Sequence, residues 1–210
     1  MLIPRITAWL PALALSLVCA LAQAQGTKAP DVLIKEVSTD VLDSVREDKS
    51  IKDGDVQKVI ALVDAKVMPH VNFQRMTAAA VGRYWRQATP AQQKKLQDEF
   101  KILLVRTYSG ALAQVRDQTV QLKPMRSNPD DKEVVVKTEI RGRGDPIQLD
   151  YRLEQVAGAW KIYDVNVLGI WLVENYRNSF AQEIGANGID GLITKLAERN
   201  AKASAGGAKS

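Results

Sequence analysis

Histidine, cysteine, serine and paired carboxylates carry most enzymatic steps, and this chain offers few of them in useful company. His70 is the sole histidine and follows Pro69. A metal site built on it would need carboxylates at ligand spacing, and none stand there. A place at a helix end or on the surface is expected instead. Ser38, Ser44, Ser109 and Ser179 lie in helical patterns, and neither a G-x-S-x-G turn nor a phosphate-cradling glycine loop occurs. One acid/base arrangement stays open: Asp150 or Asp164, next to Tyr151 or Tyr163, in an apolar pocket. Strand alternation sets Asp150 toward solvent, on the face opposite Tyr151, and sets Asp164 with Trp160 and Ile162. Arg141-Gly142-Arg143-Gly144-Asp145-Pro146 contains R-G-D. A strand-to-strand turn accounts for each of its residues, so no recognition role is expected of it.

The elements that must position these residues fall into two periods. Pro30 and Asp31 open a helix with Leu33, Ile34, Val37, Val41, Leu42 and Val45 on one stripe. Charges then gather over residues 46–52 and end in a loop. Asp53 or Asp55 caps a second helix carrying Val56, Val59, Ile60, Val63 and Val67, which Pro69 ends. Residues 73–84 form another short helix. Thr89, Pro90 and Gln92 make a capping box for a long helix over 90–116, with Leu96, Phe100, Leu103, Leu104, Thr107, Ala111 and Leu112 on its apolar side.

Near Thr119 the period turns from helical to alternating. Four strands are expected at residues 119–125, 133–141, 147–156 and 159–168, joined by turn chemistry at Asn128-Pro129-Asp130-Asp131, at 142–146 and at Ala157-Gly158. Short links imply an antiparallel meander. The third strand carries Ile147, Leu149, Tyr151 and Leu153 on one face and polar residues on the other. Val134-Val135-Val136 reads as covered on both faces. Leu172, Tyr176, Phe180 and Ile184 restore helical spacing, Gly185 and Gly188 interrupt it, and Ile189, Leu192, Ile193 and Leu196 form a last helix. Residues 201–210 are small and polar and are expected to be a disordered tail. The expected fold is α+β: a helical N-terminal half and C-terminal helices on the concave face of one curled antiparallel four-stranded sheet, with an apolar cavity between the layers.

The chain opens with Arg5, an apolar run over 6–21 interrupted by Thr7 and Ser16, and Ala22-Gln23-Ala24. This is a secretory leader (1–24) with cleavage before Gln25, too short to span a bilayer. Cys19, the only cysteine, leaves with it, and Val18 before it does not suit a lipoprotein site. The remaining single domain (25–200) has no thiol for disulfides, catalysis or metal. Of 29 basic residues only Arg5 is in the leader, leaving 28 against 24 acidic and a net charge of +4. So mild a balance, without a basic stripe interleaved with aromatics, argues against nucleic acid.

Two blocks go beyond pattern: Val81-Gly82-Arg83-Tyr84-Trp85-Arg86-Gln87 running through Thr89-Pro90 to Leu103–Tyr108, and Asp164-Val165-Asn166-Val167-Leu168-Gly169-Ile170-Trp171 with Asn187-Gly188-Ile189-Asp190-Gly191-Leu192. In these the chain resembles the MlaC (toluene-tolerance) family of periplasmic phospholipid-binding proteins. The resemblance implies an NTF2-like cone and a periplasmic, monomeric carrier that is not an enzyme and has no cofactor beyond its lipid cargo. It implies shuttling of glycerophospholipid between an outer-membrane lipoprotein–porin complex and an inner-membrane ABC transporter complex, which maintains outer-membrane lipid asymmetry. Expected pocket residues are Leu104, Tyr108, Val135, Ile140, Leu149, Tyr151, Ile162, Val165, Val167, Leu168 and Ile170. A slip of one residue in any strand exchanges its set. Arg83 and Arg86 are expected either to contact a partner or headgroup, or to serve as helix-end cations. An NTF2-like cavity enzyme and a periplasmic adaptor or chaperone without lipid are the competing readings.

Overall fold

The computed structural model describes residues 28–126, 128 and 130–207; residues 1–27 (the expected leader among them), Ser127, Pro129 and the last three residues lie outside the described residues. Helix α1 (Pro30–Glu47) starts on Pro30 and buries Leu33, Ile34, Leu42 and Val45. The charged stretch after it is not all loop. Asp48 accepts from the Ser50 amide (2.8 Å) and starts a one-turn helix, α2 (Lys49–Lys52), which buries Ile51. Asp55 caps α3 (Val56–Leu62), accepting from the Gln57 and Lys58 amides at 2.9 and 3.2 Å. Beyond Leu62 the helix widens into a π turn (Val63–Val67) and tightens into a 3-10 turn (Met68–His70) at Pro69.

Helix α4 (Phe73–Val81) ends at Gly82, whose φ of 65° suits glycine, and a 3-10 turn (Gly82–Gln87) follows. Helix α5 (Pro90–Ala113) has the expected box: the Gln92 amide donates to Thr89 Oγ1 (3.2 Å), and the Thr89 amide donates to Gln92 Oε1 (2.9 Å). It stops at Ala113, three residues short of the expected end.

The sheet has five antiparallel strands in sequence order, β1 (Thr119–Leu122), β2 (Glu133–Arg141), β3 (Ile147–Val156), β4 (Ala159–Val167) and β5 (Ile170–Trp171). The fifth, not expected from sequence, folds back through Leu168-Gly169, whose φ values of 52° and 90° fit the two-residue turn that right-handed sheet twist favours. Between β3 and β4 the register shifts: Arg152 faces Asp164, while Leu153 faces Ile162. Tyr163 is therefore an extra residue, a bulge that reverses the alternation of β4. Helix α6 (Leu172–Gly207) is interrupted at Gly188 (φ 71°); Gly185 lies within the helical run, and its end reaches into the stretch expected as a tail.

Helices cover one face of the sheet. Val135 on the opposite face is 39% exposed, so the Val134-Val135-Val136 run is covered on one side only, a correction to the two-sided expectation. Leu33 and Ile34 of α1 pack on Val134, Val136, Leu153 and Ile162. A second cluster joins α4, α5 and α6 around Phe100, which meets Tyr176 and Phe180 edge-on at 5.1 and 5.2 Å. A third ties α1, α2 and α3 to Val105 and Val115. None of the three fills the space between α1, the end of α5 and the sheet.

Candidate functional site

That space is a cavity of about 960 Å³. Helix α1 turns Ile34, Val37, Val41 and Leu42 into it because these residues recur at helical spacing on one stripe. Val67 and Val71 come from the irregular turns after α3. The last turns of α5 supply Tyr108, Ala111 and Leu112, followed by Val115. The sheet supplies Ile140, Ile147, Leu149, Tyr151, Ile162, Val165 and Val167, and α6 begins with Leu172 against the cavity. The polar lining is Ser38, Gln114, Arg116, Asp117, Gln118 and Arg143. All of these except Ser38 lie where the end of α5 meets the β2–β3 turn.

Seven of the residues expected at the pocket are brought together there: Tyr108, Ile140, Leu149, Tyr151, Ile162, Val165 and Val167. Four lie elsewhere. Leu104 packs against the Phe100 cluster on the other side of α5. Val135 faces outward from β2. Leu168 sits in the left-handed turn at 64% exposure, and Ile170, on the two-residue edge strand, is 56% exposed. The bulge explains how Ile162 and Val165 can both line the cavity three positions apart. Sequence reading left the α1 residues as an apolar stripe with no part in the pocket and missed the polar rim; the run Arg116-Asp117-Gln118 after the apolar stripe of α5 was the available signal.

Burial pushes the phenols of Tyr108 and Tyr151 above their ordinary value, so both stay neutral across physiological pH. For Tyr108 the charge of Tyr176 acts in the same direction. Hydrogen bonds with Ser38 and Thr138 pull Tyr151 partly back. A neutral phenol suits an apolar wall.

Neither carboxylate of the acid/base reading faces this space. Asp150 lies on the outer face but is buried, contrary to the expected solvent exposure. Gln148 Nε2 donates to its Oδ2 at 3.0 Å, while its Oδ1 has no hydrogen-bond partner. Asp164 is 1% exposed and is occupied in holding the fold. Its Oδ1 accepts from the Val165 and Val173 amides (2.9 and 3.1 Å), and its Oδ2 accepts from Arg152 Nη1 (3.1 Å). It thus caps the start of α6 from the neighbouring strand, and Arg152 stacks on Trp171 at 3.8 Å. Burial raises the Asp164 pKa, and the two amides and Arg152 oppose the rise. His70 is half-buried, its pKa lowered by burial and then by Lys161 and Lys28. Among the described residues no group of three or more His, Cys, Asp and Glu side chains is placed to hold a metal ion, and no helix is long and apolar enough to cross a membrane.

Arg83 and Arg86 are exposed on the 3-10 turn after α4 and do not line the cavity. Arg83 Nη2 donates to the Tyr84 hydroxyl at 2.8 Å. The family model described as MlaC protein matches residues 35–198, a segment that takes in part of every element lining the cavity. The chain belongs to the MlaC family. A curated relative, the intermembrane phospholipid transport system binding protein MlaC of Haemophilus influenzae, is 24% identical over 172 residues, 80% of each chain. The toluene tolerance protein ttg2D of Pseudomonas putida is 32% identical over 109 residues, so the match spans about half of that protein (50%) and 51% of this chain. Among solved structures, the phospholipid-binding protein from Ralstonia solanacearum, in complex with a phospholipid, superposes with a TM-score of 0.80 at 47% identity. The superposition covers 83% of this chain and 98% of that one. The α+β architecture, helices on one face of an antiparallel sheet, is shared with that phospholipid-binding structure, and the sheet of this chain has five strands rather than the expected four.

Proposed function

We propose that this chain is a periplasmic phospholipid carrier, not an enzyme, that shuttles glycerophospholipid between the inner and outer membranes. The observation that carries the reading is the cavity: about 960 Å³, walled by valine, leucine, isoleucine and tyrosine, with its charges confined to one rim. Acyl chains need such a wall, and a charged headgroup needs such a rim. The phospholipid bound by the Ralstonia solanacearum protein, and the name of the Haemophilus influenzae relative, support the same reading.

Energetics narrow the mode of action. A two-chain phospholipid buries roughly 30 methylenes at ~0.8 kcal/mol each, so release into water would cost roughly 25 kcal/mol. Cargo therefore changes hands only while the carrier is docked. The proposed partners are an outer-membrane lipoprotein–porin complex and an inner-membrane ABC transporter complex, serving outer-membrane lipid asymmetry. Arg83 and Arg86, exposed and outside the cavity, are candidates for the docking contact. In this proposal Tyr108, Ile140, Leu149, Tyr151, Ile162, Val165 and Val167 contact the chains. The test is native mass spectrometry of the protein purified from the periplasm without detergent. One two-chain or larger phospholipid adduct per protein is expected; protein that remains free of lipid after incubation with phospholipid vesicles refutes the reading.

A further inference from the structure

The arginine-rich β2–β3 turn, residues 142–146, was expected to be only a connection. It instead forms one side of the cavity rim. Gly142 lies so close to the segment after α5 that an added Cβ would meet Gln118 Cγ at 2.8 Å and Asp117 Oδ1 at 3.3 Å. This packing of loop on loop sets Arg143 Nε 3.4 Å from Asp117 Oδ2. On the same segment as Asp117, Arg116 Nη1 donates to the carbonyl oxygens of Ala113 and Val115 at 3.0 and 2.7 Å, which ties its guanidinium to the end of α5. Arg116, Asp117 and Arg143 all line the cavity.

Resting on the carrier reading above, we infer that this rim is a headgroup subsite selective for a lipid phosphodiester. Acyl chains fill the apolar depth, which leaves the glycerol phosphate at the level of these side chains. The Arg143 side chain is 95% exposed, so its pairing with Asp117 is weak and readily exchanged. A phosphate oxygen pair matches the planar guanidinium fork and displaces Asp117 from it. Asp117 stays beside the phosphate and sets the upper limit of charge. A monoanionic diester is accepted between two arginines and one carboxylate. A phosphomonoester, which carries about −1.5 to −2 at neutral pH, meets Asp117 as a second like charge. A diacylglycerol, with no phosphate, leaves both arginines unengaged.

The test uses mature protein incubated with vesicles containing equal parts of phosphatidylglycerol, phosphatidic acid and diacylglycerol of one chain composition, at pH 8. Bound species are counted by native mass spectrometry. The wild type is expected to favour the diester over both others. Arg143→Gln should lower the ratio of diester to diacylglycerol by at least about fivefold, the effect of one charge-assisted contact. Asp117→Asn should raise the phosphatidic acid share severalfold. Both sites are at least half exposed, so folding is not at stake. Loading with ratios unchanged in Arg143→Gln overturns the subsite while leaving the carrier reading intact. An unchanged phosphatidic acid share in Asp117→Asn overturns the charge limit. A wild type that takes up no lipid sinks the carrier reading and the subsite with it.

Discussion

Val167 and Leu168 are chain neighbours on opposite sides of the cavity boundary, which allows one substitution to be read twice. Val167 pairs with Leu149 across β3 and β4, and both line the cavity. Val167→Asn puts an amide against the acyl chains with no fixed partner. An uncompensated amide costs about 1–3 kcal/mol on protein scales, and about one lost methyl contact adds roughly 0.8 kcal/mol. The sum is near 3 kcal/mol, so lipid binding should weaken on the order of 100-fold. The penalty falls on the loaded state, because in the empty cavity water reaches the amide. Leu168→Asn is the control. Its site is 64% exposed at φ 52°, a left-handed conformation that asparagine tolerates better than leucine. Loading should match wild type, and the thermal midpoint should hold or rise. The assay mixes each variant with an equal amount of mass-tagged wild type and limiting phospholipid, and counts how the lipid divides. Equal loss in both variants, or wild-type loading by folded Val167→Asn, would refute the assignment of the β4 faces.

Two further outcomes concern stability. Asp164→Ala leaves the Val165 and Val173 amides without their side-chain acceptor and Arg152 with only Glu174 at 3.5 Å, and should destabilise by about 3 kcal/mol, whereas Asp164→Asn, which can still accept from the amides, should lose less; an alanine variant with the wild-type thermal midpoint would show that the α6 cap is idle. His70 has a folded pKa below its ordinary 6.5, so its contribution is present above about pH 6.5 and lost as the pH falls through the lowered value. Thermal midpoints taken from pH 7.5 to 5.5 should fall more steeply for wild type than for His70→Asn, and parallel curves would count against that linkage.

Elements that rest on local chemistry were legible in the sequence. Thr89, Pro90 and Gln92 specify the start of α5, and the alternation of Leu149, Tyr151 and Leu153 specifies the inward face of β3. The losses came from features with no local signature. Tyr163 is an ordinary strand residue, and only its neighbours' pairing makes it a bulge, so Asp164 was set on the wrong face relative to Ile162. Leucine is a poor advertisement for a left-handed turn, which hid β5 behind Leu168-Gly169. Val135 and Leu104 carry the same apolar character as their inward neighbours. What separates them is which face another layer happens to cover, and that is decided by tertiary packing.

The packing that holds this fold lies both beside the cavity and in its walls. Phe100 and its partners join α4, α5 and α6, while Asp164, Arg152 and Trp171 pin the start of α6 to the sheet. These fix one wall. The facing wall is α1, held to the sheet through Leu33 and Ile34 and to α2 and α3 through Leu42 and Val45, with the π and 3-10 turns that place Val67 and Val71. A dry apolar void of about 960 Å³ would cost about 20 kcal/mol at ~24 cal/mol per Å³, more than the ~5–15 kcal/mol by which a domain is stable. An unoccupied cavity must therefore admit water through its rim or shrink by movement of its walls. The lipid chains in water would cost a similar roughly 25 kcal/mol. On the carrier reading the two penalties are removed together when chains fill the cavity, and both return if they part in solution. A docked partner that offers the chains another apolar path avoids both at once, which makes docking, and not dissociation, the step that sets when cargo leaves.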